Sequence, residues 1–208
     1  MIGNKKQRIS LLGVPLGFGA GSPGSDLGIN AMRVSRIRGR SLPDRIRGLG
    51  YELIDRGDVH IVTPESLETP GNPKHLAEMI ASSNNIVATL TEVLEEGDFP
   101  IILGGDHAIA IPTFSAIAAH YRRAGQEIGL IWFDAHADIN TPETSPTGNI
   151  HGMPLAAILG RGHPDLTDIC GFSPKVDPRF VAHIGARDVD EGERGHVHDL
   201  GLRDNFLQ

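Results

Sequence analysis

The chain has 208 residues, a formal net charge of −7, and a composition that is 39% apolar and 22% charged. These values exclude a disordered polyampholyte and a membrane-embedded protein, and the acidic balance argues against binding to nucleic acid or an acidic membrane. A chain of this length can bury one large core, so we expect a single domain over residues 1–208. The lone cysteine, Cys170, cannot form an internal disulfide, which favours a reducing, cytoplasmic location.

Short apolar runs alternate with longer amphipathic segments along the chain. We predict strands at residues 8–14, 51–59, 99–107, 128–136 and 180–188. We predict helices at residues 31–39, 73–96, 111–125 and 153–160. Such alternation is typical of a parallel sheet with helices on both faces, so the sequence predicts an α/β fold.

Polar residues with the chemistry of a metal site follow two of the predicted strands. His107 closes the segment Gly-Gly-Asp-His after one strand, and the segment Asp-Ala-His-Ala-Asp follows another. Alternate residues of an extended segment point the same way, so Asp134, His136 and Asp138 are expected on one side. Two carboxylates this close repel each other unless a cation neutralises them.

The chemistry of these side chains indicates which ion they would bind. A site of carboxylates and imidazoles without cysteine suits Mn²⁺ better than structural zinc, and a bridging carboxylate allows a pair of metal ions. A polar loop after each strand is the alternative interpretation. We therefore predict a divalent-metal site at His107, Asp134, His136 and Asp138.

A loop rich in hydrogen-bonding side chains, residues 140–152, follows this cluster directly. His151 near its end is a candidate proton shuttle. The remaining histidines are interpreted as structural or solvated. They are His60, His75, His120, His163, His183, His196 and His198.

The ordered set of motifs GGDH, DAHADIN, TPETSPTGNIHGMP and ARDVDEGE resembles the ureohydrolases, and specifically the arginase family. The resemblance runs from about residue 9 to residue 193. It implies a three-layer α/β/α fold with a mainly parallel sheet, and hydrolysis of L-arginine to L-ornithine and urea. It also implies a homo-oligomer, a trimer or hexamer, whereas the acidic composition and the single cysteine predict a cytoplasmic protein with no nucleic-acid or membrane partner.

The resemblance assigns roles to individual residues of this sequence. His107 and Asp138 match ligands of one manganese ion, His136 matches a ligand of the other, and Asp134 would contact both. His151 matches a histidine that moves protons to the leaving amine. The matches to residues that hold the amino-acid end of the substrate are Asn140, Thr147, Asn149, Asp190 and Glu193.

One departure from the family bears on activity. Nothing after Glu193 resembles the family's Asp-x-Asp segment, whose aspartates complete both metal sites, so the resemblance implies an arginase-like fold that lacks the C-terminal strands. Two alternatives to arginase activity therefore remain. One is another ureohydrolase, of the agmatinase or guanidinobutyrase type, and the other is a catalytically inactive subunit that binds arginine or metal.

Overall fold

The computed structural model describes residues 7–68, 70–202 and 206–207, and every pair of neighbouring strands in it is parallel. The strands are β1 (Arg8–Val14), β2 (Glu52–Asp58), β3 (Phe99–Gly104), β4 (Leu130–Phe133), β5 (Val181–Ile184) and β6 (Phe206–Leu207). The α-helices are α1 (Gly28–Val34), α2 (Leu42–Gly48), α3 (Leu76–Glu95), α4 (Ala110–Arg123), α5 (Pro154–Ile158), α6 (Pro164–Thr167) and α7 (Glu191–Asp199). None of the described helices is both long enough and apolar enough to cross a bilayer.

Strand β1 is the central strand of the first sheet, whose order is β2-β1-β3. Its apolar side chains are buried on both faces. Ile9 and Leu11 pack with α1 and α2, whereas Leu12 and Val14 pack with α3 and α4. Helices thus cover both faces of the sheet, which confirms the predicted three-layer α/β/α fold.

The other three strands form a second sheet, with the order β4-β5-β6. Within the described ranges β3 and β4 do not pair with each other. The first residues of β3 and the two residues before β4, Ile128 and Gly129, instead line a cavity of about 510 Å³, together with side chains of α4. Ile131 and Phe133 of β4 are 71% and 81% exposed. The described strands therefore form two three-stranded sheets, and β4, an edge strand of the second sheet, has exposed apolar side chains.

The region between β1 and β2 differs from the helix predicted at residues 31–39. Helix α1 ends at Val34, and a tight turn follows in which Arg38 and Gly39 have positive φ angles of 54° and 77°. Helix α2 then begins with a capping box between Ser41 and Asp44, in which each side chain accepts a hydrogen bond from the other residue's backbone N–H. Ser-x-x-Asp before an apolar run is a readable helix-start signal, so α2 was predictable.

Candidate metal centre

The tip of β3 lies against the segment that follows β1. The backbone N–H of Gly105 donates to the carbonyl of Val14 at 3.3 Å, and that of Asp106 donates to the carbonyl of Leu16 at 2.8 Å. A Cβ atom on Gly105 would lie only 1.8 Å from the carbonyl oxygen of Leu16. Only glycine permits this close approach, which directs the next side chains, including that of His107, beyond the end of the strand.

Three of the predicted ligands meet beyond the ends of β3 and β4. Nδ1 of His107 lies 2.9 Å from Oδ2 of Asp134 and 2.6 Å from Oδ2 of Asp138. Ligand atoms of the three residues lie within 4.8 Å of one another, and no other group of this kind was found in the described ranges. The ends of β3 and β4, which belong to different sheets in the described ranges, therefore bring together side chains that the sequence separates by about thirty positions.

The segment from Asp134 to Asp138 is not extended, so the expectation that alternate residues share one side was wrong in its geometry. Strand β4 ends at Phe133, and Asp138 has a left-handed φ of 51°. The carboxylates of Asp134 and Asp138 converge through this turn. His136 is left with a side chain 63% exposed, although its Nδ1 lies 3.3 Å from Oδ1 of Asp134.

The charges in the cluster shift its titration. Burial lowers the pKa of His107, but the hydrogen bonds and charges of Asp138 and Asp134 outweigh burial and hold that pKa above its ordinary value. Burial raises the pKa of Asp134, yet the backbone N–H of His136 and the imidazole of His107 bring it below its usual range. The cluster therefore favours an ionised Asp134 beside a positively charged imidazole of His107.

The donor set fits a divalent cation better than hydrogen bonds alone. A single Nδ1 proton cannot be donated fully to two carboxylates at once. Oδ2 of Asp138 is buried, and Nδ1 of His107, which lies 2.6 Å from it, is shared with Asp134. A cation among these atoms would satisfy Asp134, Asp138 and His107 together, and carboxylate plus imidazole ligands suit Mn²⁺.

Two side chains outside the predicted ligands contact the cluster: Trp132, and His183, which was interpreted from the sequence as structural or solvated. The imidazole of His107 stacks on the indole of Trp132, with ring centroids 4.5 Å apart and planes inclined by 20°. Buried His183 on β5 contacts the carbonyl oxygen of His136 through Nε2 at 2.8 Å. The sequence offered no signal for the role of His183, because the contact depends on the pairing of β4 with β5.

Helix α7 connects the metal cluster to two of the predicted substrate-binding residues. Asp190 and Glu193 form its capping box, and Glu193 is only 5% exposed. Oε1 of Glu193 also accepts a hydrogen bond from the backbone N–H of Ile139 at 3.2 Å, next to Asp138. Nδ2 of buried Asn140 donates to Oδ2 of Asp190 at 2.8 Å. Asp190, Glu193 and Asn140 thus lie together beside the cluster.

The other predicted loop residues lie around the short 3-10 turn Phe18–Ala20. Nδ1 of His151 is 3.0 Å from the carbonyl oxygen of Gly19, and Nδ2 of Asn149 donates to the carbonyl of Ala20 at 3.1 Å. Exposed Thr147 accepts a hydrogen bond from the backbone N–H of Asn149 at 3.2 Å. His151 and Asn149 therefore share one anchor, which the sequence separates from them by more than 120 residues.

Comparison with known proteins places these features in a family. The profile of the arginase family matches residues 7–204. The arginase of Bacillus caldovelox is 44% identical over 197 residues, which are 94% of this chain and 63% of that protein. The arginase of Bacillus subtilis (strain 168) is 42% identical over 195 residues, with 94% and 62% covered.

Solved structures agree with the sequence comparison. The native structure of Bacillus caldovelox arginase at pH 5.6 matches with a TM-score of 0.84 and 43% identity, over 94% of this chain and 63% of that one. A formimidoylglutamase from Bacillus subtilis matches with a TM-score of 0.67 at 20% identity, which shows a shared fold alone. This chain spans about 63% of the length of the first relatives it matches. On the sequence match and the shared fold, the chain belongs to the arginase family.

Proposed function

We propose that the chain catalyses the Mn²⁺-dependent hydrolysis of L-arginine to L-ornithine and urea. The observation that carries the proposal is the convergence of His107, Asp134 and Asp138 within 4.8 Å. Membership of the arginase family supports the same reaction. The matched relatives are longer than this chain, so the proposed activity has to be measured on this chain itself.

The residues proposed to hold two Mn²⁺ ions are His107, Asp134, His136 and Asp138. The burial of Oδ2 of Asp138 and the closeness of two carboxylates to one imidazole support this assignment. When bound, metal ions in such a site lower the pKa of water to about 7, which supplies a nucleophile at neutral pH.

The substrate carbon belongs to a planar, resonance-stabilised guanidinium and is a poor electrophile, so orientation of the substrate matters. Five residues are proposed to hold its amino-acid end: Asn140, Thr147, Asn149, Asp190 and Glu193. The contact between Asn140 and Asp190 supports a shared polar site beside the cluster. Polar and acidic side chains suit a zwitterionic head group and favour arginine over agmatine or guanidinobutyrate, which lack either the carboxylate or the amine.

His151 is proposed to protonate the leaving nitrogen of ornithine, so that this nitrogen departs as a neutral amine and not as an anion. Its Nδ1 is engaged with the carbonyl oxygen of Gly19, so Nε2 is the atom available for proton transfer. Proton transfer by a positioned side chain contributes roughly 10²–10⁴-fold to a rate.

A second candidate is a subunit that binds Mn²⁺ or arginine without turnover. It is favoured by the small ligand set, since the described ranges contain one group of three metal-binding residues. The edge positions of β3 and β4 favour it as well, because among the described strands no further strand joins the two sheets next to the site.

One set of measurements on the purified chain separates these candidates. Urea release is measured with Mn²⁺ and L-arginine, agmatine or 4-guanidinobutyrate, while calorimetry measures binding of Mn²⁺ and arginine. Urea from arginine supports the main proposal, and urea only from another compound changes the substrate. Binding of Mn²⁺ or arginine without urea supports the second candidate. Absence of Mn²⁺ binding contradicts the main proposal, and absence of both Mn²⁺ and arginine binding contradicts the second candidate as well. His151→Asn is the matched variant, expected to bind Mn²⁺ normally and to release urea more slowly.

The proposal includes a cytoplasmic homo-oligomer, a trimer or hexamer. The single cysteine supports a reducing location. Light scattering after size-exclusion chromatography measures the oligomeric state, and a monomer at all concentrations would contradict that part of the proposal.

A further inference from the structure

We propose that Asp106 is a positioning residue for proton transfer: its carboxylate fixes the turn Phe18–Ala20, which orients the imidazole of His151. The inference rests on the proposed function for the role of His151 in proton transfer. The contacts of Asp106 and His151 with the turn do not depend on that role. Asp106 does not belong to the metal cluster, although it is the residue before His107.

The carboxylate of Asp106 is 7% exposed and uses both oxygens in hydrogen bonds to backbone N–H groups. Oδ1 accepts from the N–H of Ala108 at 2.9 Å, within its own strand-to-helix connection. Oδ2 accepts from the N–H of Ala20 at 3.1 Å, across 86 positions of sequence. Asp106 therefore joins the tip of β3 to the turn that follows β1.

Steric contact makes this joint tight. A Cβ atom on Gly19 would lie 2.7 Å from Oδ1 of Asp106 and 2.9 Å from Cβ of Ala108. Real Cβ atoms do not approach other atoms this closely, so the turn has no room for a larger residue. The carboxylate of Asp106 thus accepts a hydrogen bond from the turn Phe18–Ala20 and also packs directly against it.

The turn Phe18–Ala20 places two of its carbonyl oxygens against the loop of residues 140–152. The carbonyl of Gly19 faces Nδ1 of His151 at 3.0 Å, and the carbonyl of Ala20 accepts from Asn149 at 3.1 Å. A carbonyl oxygen only accepts, so Nδ1 of neutral His151 must carry the proton. Nε2 is then left without a proton and free to collect and deliver one.

The tautomer is the measurable consequence of this arrangement. A free neutral imidazole in water favours the proton on Nε2, which is the wrong atom for this contact. The fixed carbonyl of Gly19 reverses that preference. If Asp106 acted only on stability, its loss would loosen the fold without changing the tautomer of the folded protein.

The experiment follows the ring nitrogens of His151 by ¹⁵N–¹H NMR on the full chain without added metal, at a pH where the imidazole is neutral. His151→Asn identifies the resonances by their loss. Asp106→Asn replaces one acceptor oxygen with an amide NH₂ and so breaks one of the two backbone contacts. Gly19→Ala leaves the carboxylate intact and displaces the turn sterically. Asp98→Asn is the matched control, since Asp98 is 6% exposed and lies at the opposite end of β3.

We expect the Nδ1–H tautomer to predominate in the wild type and in Asp98→Asn, and the Nε2–H form to gain population in Asp106→Asn and Gly19→Ala. With Mn²⁺ and arginine, kcat should fall by about tenfold or more in the last two variants, because a small misplacement of a reacting group is costly. If Asp106→Asn does not fold, the tautomer of His151 and kcat in Gly19→Ala test the inference.

The outcomes separate this inference from the proposed function. A tautomer that shifts in a chain without urea release supports the positioning role and contradicts the proposed activity. An unchanged tautomer in both variants overturns the positioning role, whether or not the wild type releases urea.

Discussion

The imidazole of His183 contacts the carbonyl oxygen of His136 at 2.8 Å, so a side chain of β5 holds the loop that follows β4. Since the partner is a carbonyl, Nε2 of His183 must be the donor. Burial lowers the pKa of His183, which keeps the ring neutral at physiological pH. The loop between Asp134 and Asp138 is thereby tied to the neighbouring strand at its middle residue.

Replacement of His183 by Phe should affect both stability and metal binding. It leaves the carbonyl of His136 without this donor and places an apolar ring in its stead, so the free energy of unfolding should fall by about 1 kcal/mol. Residues that orient metal ligands typically change affinity by about 10–100-fold, and a loss in that range is expected for Mn²⁺. Denaturant unfolding and Mn²⁺ titration measure the two effects. His198→Gln, at an exposed histidine, is the control, and an unchanged Mn²⁺ affinity in His183→Phe would show that the contact is structural only.

Replacement of Asp138 by Asn should weaken Mn²⁺ binding by at least about tenfold, because a buried charged ligand becomes neutral while the shape is kept. Calorimetry or electron paramagnetic resonance of free Mn²⁺ measures the loss. Asp165→Asn changes an exposed aspartate outside the cluster and should leave affinity unchanged. Equal affinities of the wild type and Asp138→Asn would remove Asp138 from the metal site.

Two glycine-to-alanine exchanges should have opposite effects on stability. Gly105→Ala places a Cβ atom 1.8 Å from a backbone oxygen, so the protein should lose about 3 kcal/mol or more. Gly195→Ala lies within α7, where a Cβ atom meets nothing within 4 Å. It should gain about 0.5–1 kcal/mol from helix propensity. Thermal and denaturant unfolding compare them, and a tolerated Gly105→Ala would contradict the close approach of β3 to Leu16.

Acid should remove a contribution that Asp98 makes to stability. Its side chain is 1% exposed and accepts hydrogen bonds from Ser10 at 2.6 Å, Arg8 at 2.5 Å and Arg56 at 3.1 Å. Burial raises the pKa of Asp98, but these three donors outweigh it and hold the pKa below its ordinary value. A lowered carboxyl pKa stabilises the fold above the unfolded-state pKa, and this contribution is lost as the pH falls through the folded-state pKa.

Asp98→Asn should therefore cost about 2 kcal/mol at pH 7, since both arginines still reach water and screen part of the interaction. The difference between wild type and variant should shrink as the pH falls below about 4. Unfolding by urea over a series of pH values measures it. Asp165→Asn, at an exposed aspartate, is the control and should show no comparable pH dependence. A constant difference across the series would exclude ionised Asp98 as the cause.

Much of the fold was readable from local patterns. The predicted strand at residues 8–14 coincides with β1, because an apolar run bounded by proline and glycine signals a strand buried on both faces. The long helix α3 occupies residues 76–95 of the predicted 73–96, since its apolar residues recur at helical spacing. Helix α7 was missed, although its Asp-x-x-Glu start at Asp190 is a capping signal.

The site was partly predictable for the same reason. The residue types after β3 and β4 indicate metal chemistry. His107, Asp134 and Asp138 meet beyond these two strands, although β3 and β4 do not pair within the described ranges. The left-handed turn at Asp138 overturned the expected alternation, because that turn depends on contacts outside the segment. One such contact comes from Glu193, which binds the N–H of Ile139 from 54 positions away.

Most strands and helices, the candidate ligands and the resemblance to a family could be predicted from local patterns and motif order, because these depend on residues close together in the chain. Which atoms meet became visible only in the folded chain. The anchoring of His151 on Gly19, the joint made by Asp106 and the support of His136 by His183 all connect distant segments. Hydrogen bonds and close packing act over a few ångströms in space, and separation along the chain carries no record of that proximity.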